Sequence, residues 1–93
     1  MRRAAKVDSN QSEIERAARK LGCSWLSLAP LGFGAPDALI GHAGPRGRHN
    51  LLIEIKPDDR ALESAQTKFH LEWRGQVAVV RSVDDLLRLL KRP

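Results

Sequence analysis

Leu51-Leu52-Ile53-Glu54-Ile55-Lys56, read together with Pro36-Asp37-Ala38-Leu39-Ile40-Gly41, decides the fold of this chain. Each is a short apolar run that carries charge at one end, a pattern that suits a β-strand better than a helix. Side chains alternate faces along a strand, so Glu54 and Lys56 point one way and Ile55 the other. A hairpin across His42 to Asn50 sets Asp37 roughly opposite Glu54 to Lys56. Two carboxylates and an ammonium then gather on one sheet face. Buried charge is costly unless it is paired or binds a metal. Two converging carboxylates suit a hard cation such as Mg²⁺ or Mn²⁺, and a lysine beside them orients a water or stabilises developing negative charge. Taken alone, Glu-x-Lys at a strand end also describes an exposed pair on an edge strand.

Outward from these strands the rest of the chain falls into helices and strands. Asn10 suits a helix cap, with Glu13 three residues on as its box partner. Ile14, Ala17, Ala18 and Leu21 recur at helical spacing, and Gly22 stops the helix. Ser24 to Leu28 alternates as a strand does. Leu31-Gly32-Phe33-Gly34-Ala35-Pro36 is a turn segment, with neither the spacing of a dinucleotide fingerprint nor the lysine of a P-loop. His42 to Asn50 reads as a flexible basic loop. Pro57 ends strand pairing. Ala61 to Trp73 reads as a second helix with Leu62, Ala65, Phe69 and Trp73 as its apolar stripe, capped by Asp58 or Asp59 and ended by Gly75. Phe69 and Trp73 are expected in the core. Gln76 to Val80 reads as a buried strand. Ser82 caps a last helix with Asp84 and Asp85 in its first turn; Val83, Leu86, Leu87 and Leu90 face inward, and Lys91 and Arg92 suit its negative end. The order is α-β-β-β-α-β-α, an α/β chain with a mixed central sheet flanked by helices.

The chain has 93 residues, which bounds it to one domain with a modest core. Residues 1–7 read as a basic flexible tail and 8–93 as a single domain. At 42% apolar and 29% charged it has globular composition. Sixteen Lys and Arg against eleven Asp and Glu give a net charge of +5, which favours an anionic partner, nucleic acid first. Cys23 is the only cysteine, so no intrachain disulfide forms; it reads as a small buried residue. No apolar run approaches the roughly 18 residues of a membrane span. The basic start lacks the apolar core of a signal peptide, so a reducing, cytoplasmic setting is expected. The histidines and Cys23 have no zinc-finger spacing. No organic cofactor motif is present.

The wider set, Pro36-Asp37, then Glu54-Ile55-Lys56 after an apolar run, then Gln66 in the next helix and Glu13 in the helix before, resembles the PD-(D/E)XK nuclease superfamily. Within it the chain is similar to small stand-alone VRR-NUC nucleases of phages and bacteria, from about Lys6 to about Leu90. The resemblance implies a restriction-endonuclease-like core, with 8–93 as a VRR-NUC-like domain. It implies Mg²⁺ or Mn²⁺ held by Asp37, Glu54 and the backbone carbonyl of Ile55, with Glu13 a further ligand, direct or through water. It implies that Lys56 positions the attacking water or the scissile phosphate and that Gln66 supports it. Glu13 is equally a capping partner and Gln66 an exposed helix residue on their own merits. Asp58-Asp59-Arg60 and Pro57 depart from the pattern.

The leading expectation is therefore a metal-dependent endodeoxyribonuclease, a phosphodiester hydrolase acting on DNA in a bacterial cell or a phage-infected one. No helix-turn-helix, zinc finger or RNA-binding signature is present, so recognition of DNA shape is favoured over sequence. The resemblance implies branched DNA, including Holliday junctions, and two symmetric cuts suit a homodimer. Lys6, Arg46, Arg48, His49, Lys68 and His70 are the candidate nucleic-acid contacts, with a simply solvated surface as the alternative for the loop residues. A non-catalytic nucleic-acid-binding module on the same scaffold is the second expectation, and a protein–protein adaptor the third.

Overall fold

The computed structural model describes residues 9–91; the expected basic tail, with Lys6, and the terminal Arg92 lie outside the described residues. The chain forms helix α1 (Ser9–Lys20), strand β1 (Ser24–Ser27), a short 3-10 turn (Ala29–Leu31), strands β2 (Ala38–Gly44) and β3 (Gly47–Ile55), helix α2 (Ser64–Glu72), strand β4 (Val77–Val80) and helix α3 (Val83–Leu90). This is the expected order. The four strands make one mixed sheet in the order β1-β2-β3-β4: β1, β2 and β3 pair antiparallel, and β4 joins β3 in parallel. Parallel neighbours need a crossover, and α2 supplies it between β3 and β4. Among the described residues no helix is long and apolar enough to cross a membrane.

One sheet face carries the core. Ala38 and Ile40 of β2, Ile53 and Ile55 of β3 and Val80 of β4 lie on it, as period-two alternation requires. Ile14 and Ala18 of α1 and Leu86 of α3 close over them. Each fully buried Ile or Leu contributes about 1.5–3 kcal/mol by leaving water. Cys23 joins this core, as its surroundings in the sequence suggested, and burial pushes its thiol pKa up. Helix α1 ends as a Schellman turn: Gly22 adopts φ +87° and Cys23 N–H donates to Ala18 O at 3.0 Å. Ser82 caps α3, its Oγ accepting from Asp85 N–H at 3.1 Å, while Asp85 Oδ2 accepts from Arg81 N–H at 2.9 Å. That cap matches the expectation from sequence.

Four expectations give way. His42 to Asn50 is not a loop: His42 pairs with His49, Ala43 with Arg48 and Gly44 with Gly47, leaving Pro45-Arg46 as the turn. Pro45 sets φ for the turn, and Gly47 takes φ +106°, which an L side chain rarely adopts. Backbone pairing carries this arm, so no apolar alternation marks it in the sequence. Asn10 does not cap α1 but lies inside it; its Nδ2 donates to Lys56 O at 3.3 Å and Arg81 O at 3.2 Å, tying the helix to the ends of two strands. Helix α2 starts at Ser64, three residues later than expected, with Glu63 rather than Asp58 or Asp59 at its N-cap. Finally, Phe69 and Trp73 are not core. No residue of α2 is fully buried, Ala65 is exposed, and Phe69 stacks on Trp73 with centroids 5.1 Å apart. The inner face of the sheet is already filled by α1 and α3, so the stripe of α2 has no second core to enter.

Candidate active site

The second sheet face carries the charged residues. Glu54 and Lys56 alternate with Ile53 and Ile55 and therefore point away from the core. Both are nevertheless buried: Glu54 is 2% exposed and Lys56 6%. Helix α2 covers Glu54, because the crossover from β3 to β4 brings it over that face. Gln66 Nε2 donates to Glu54 Oε2 at 3.1 Å, and His70 Nε2 stands 3.7 Å from Glu54 Oε1. Gln66 and His70 are one turn apart on the helix, so a single carboxylate meets both. Gln66 also accepts from the N–H of Glu63 at 2.8 Å, which closes the first turn of α2. One amide thus links the start of the helix to the buried acid. Burial lowers the pKa of His70, since desolvation penalises the imidazolium.

Asp37 immediately precedes β2. Carried one step past the Ala38–Ile53 pair, the antiparallel register sets it beside Glu54. Its N–H donates to Ile53 O at 3.0 Å, and its Oδ2 accepts from Ile55 N–H at 2.6 Å. The latter is a short charge-assisted bond. Asp37 is therefore turned toward the edge of β3, with one carboxylate oxygen committed to the backbone of Ile55. Residues 53 and 55 direct their backbone groups to this side, while Leu52 and Lys56 donate to Gln76 and Val80 on the β4 side. The Ile55 carbonyl thus shares the Asp37 edge. The approach to it is a tight loop: a Cβ on Gly34, at φ +78°, would stand 2.4 Å from Ala65 O of α2.

The structure brings together Asp37, Glu54, Gln66 and His70, and buried Lys56 follows with the face parity of Glu54. Glu13 is exposed on α1, one turn after Asn10, whose amide bonds the Lys56 carbonyl. Among the described residues no group of three or more His, Cys, Asp or Glu has the spacing to hold a metal ion. What the cluster offers a hard cation is two carboxylates and a neighbouring carbonyl, the oxygen donors that Mg²⁺ and Mn²⁺ accept, with water left to fill the remaining positions.

The other expected contacts are scattered. Arg46 lies in the β2–β3 turn, eight strand positions from Glu54, or about 25 Å at about 3.3 Å per residue. Arg48 shares the parity of Glu54, whereas His49 has that of the core face. Lys68 lies on the outer side of α2 with Thr67 and Leu71. Two features escaped the sequence reading. The approach of His70 to Glu54 had a signal, the four-residue spacing from Gln66. The Asn10 strap had none, since it depends on how α1 crosses the sheet. No protein-family model, no curated protein and no solved structure matches the chain.

Proposed function

We propose that this chain is a metal-dependent nuclease that hydrolyses DNA phosphodiester bonds at the Asp37–Glu54–Lys56 cluster. The observation that supports this reading is the burial of Glu54 and Lys56 at the end of β3, with Asp37 bonded to the residue between them. Desolvating a carboxylate and an ammonium costs several kcal/mol per ion by order of magnitude, and apolar residues would fill these strand positions at no such cost. Buried charges gathered at a strand end make it a candidate functional site.

Asp37 and Glu54 would hold Mg²⁺ or Mn²⁺. The bound ion lowers the pKa of water and neutralises charge on the phosphate. Asp37 is oriented by the Ile55 N–H, and Glu54 by the Gln66 amide. Lys56 Nζ, anchored on a paired strand, presents positive charge to a non-bridging phosphate oxygen or to the attacking water. Glu13, if it contributes, does so through water. The +5 charge favours a polyanion. Branched DNA cut symmetrically by a homodimer is the preferred substrate and assembly. Leu26, Leu31, Leu71 and Trp73 are large apolar side chains left exposed and supply surface for a second copy.

The test is cleavage of a labelled four-way junction beside linear duplex and flap DNA, in Mg²⁺, Mn²⁺ or chelator. Wild type is compared with Asp37→Ala, Glu54→Ala and Lys56→Ala, each checked for folding by circular dichroism. Metal-dependent cutting lost in all three variants is the expected result. The second reading, a nucleic-acid-binding module without catalysis, draws on the lack of a three-ligand metal group among the described residues. Salt-sensitive DNA binding that survives all three substitutions, with no cutting in any metal, would decide for it.

A further inference from the structure

The β2–β3 hairpin is longer than its neighbours. Strand β1 pairs only with residues 38–41 and β4 only with 52–55, so the pairs from His42–His49 to Gly44–Gly47 project as a two-stranded arm. The last turn of α3 lies beneath the core face of this arm. Between them runs a cleft of about 680 Å³, within the size range of small-ligand sites. It opens on the opposite sheet face from Glu54, and its β3 residues Leu51 and His49 lie about 10 and 17 Å along the strand from Glu54, so it belongs to a different site.

Its lining has a consistent chemistry. His42 and His49 are direct cross-strand partners of one parity and lie side by side on its wall. Arg46 reaches in from the turn and Lys91 from the end of α3, while Leu51 and Leu90 supply an apolar wall. Among the described residues no acidic side chain lines it. Cations converging in a cleft with low-dielectric walls focus a positive potential there. The guanidinium forks onto phosphate oxygens, the lysine adds a point charge, and the imidazoles offer both N–H donors and flat faces. Two histidines alone would also suit a transition metal, but Arg46 and Lys91 repel a cation. The combination of a cationic rim and an apolar, ring-lined wall suits a phosphate carried on a flat body.

We propose that this cleft binds a nucleotide, its phosphate on Arg46 and Lys91 and its base against the imidazoles of His42 and His49 and the wall formed by Leu51 and Leu90. The ligand is either a free nucleotide or the phosphorylated end of a strand. The inference does not rest on the nuclease reading, because none of these residues belongs to the Asp37–Glu54 cluster.

The experiment is amide chemical-shift titration of the full chain in chelator with 5′-AMP, inorganic phosphate, a 5′-phosphorylated thymidine pentamer and its unphosphorylated form. Saturable shifts confined to the arm and the end of α3 are expected with AMP and the phosphorylated pentamer. Arg46→Ala and Lys91→Ala should each weaken binding about tenfold or more, as loss of a charge-assisted bond does. Glu54→Gln should leave it unchanged, which separates this site from the catalytic proposal. The tighter of AMP and pentamer assigns the source. Shifts that map to the Glu54 face, binding indifferent to Arg46 and Lys91, or inorganic phosphate matching AMP would each overturn the proposal. Both variants alter exposed side chains, and their unchanged spectra outside the cleft serve as the folding control.

Discussion

Gln66 joins two structures that are otherwise separate, so replacing it should be felt in both. Its Nε2 donates to the buried carboxylate of Glu54, and its Oε1 accepts from the first turn of α2. Gln66→Leu keeps the shape and removes both bonds. A hydrogen bond to a charged group is worth about 1.5–3 kcal/mol. The exposed cap bond falls at the low end of its range, about 0.5 kcal/mol. The expected loss is therefore about 2–3.5 kcal/mol. A domain of this size has roughly 5–14 kcal/mol to lose, so the variant still folds. With a urea slope of about 1.2 kcal/mol/M the midpoint falls by about 2 M. The assay is urea unfolding at pH 7 followed by circular dichroism, run also in a Glu54→Gln background. There the acceptor is neutral, and the same substitution should cost about 1 kcal/mol less. A loss below about 0.5 kcal/mol, or an equal loss in both backgrounds, would refute the claim that Gln66 holds the buried charge.

Asn10→Ala should lower stability by about 1–2 kcal/mol, since the Lys56 and Arg81 carbonyls lose their donor, and Asn10→Asp should be no better because it cannot donate; thermal melts of both decide this. Phe33 is 99% exposed and sits at φ +56°, a conformation that costs an L side chain about 1–2 kcal/mol. Phe33→Asn should therefore stabilise by about 0.5–1 kcal/mol, seen as a raised melting temperature; a fall would show that the ring packs in solution. The Cys23 thiol has its folded pKa raised above the ordinary value of 9.0, so the folded state holds its proton longer than the unfolded chain. The stability it contributes is full below about pH 9 and is lost as pH rises through the folded value. Unfolding curves of wild type and Cys23→Ala should converge with rising alkalinity, and a disulfide reagent at pH 8 should label Cys23 only across the unfolding transition.

The element order was legible because each element carries a local cause. Ile14 and Ala18 mark a helical stripe, Gly22 stops it, Ser82 caps α3, and the runs around Ile40 and Ile53 are too short and too β-branched for helices. The placing of Asp37 beside Glu54, with Lys56 on the same face as Glu54, was legible too, because strand alternation follows from spacing and a hairpin between the two runs sets their charged ends opposite each other. Tertiary structure decided the rest. The arm at His42–His49 is held by backbone pairing, which leaves no apolar period to read. Phe69 and Trp73 look like core residues on a helical wheel, yet α1 and α3 already fill the inner face of the sheet. The burial of Glu54 depends on where the β3–α2–β4 crossover lays α2, and the Asn10 strap on how α1 crosses the strand ends. A sequence specifies periodicity and local stops; which of two apolar faces meets a partner is settled only when all the elements compete for the same core.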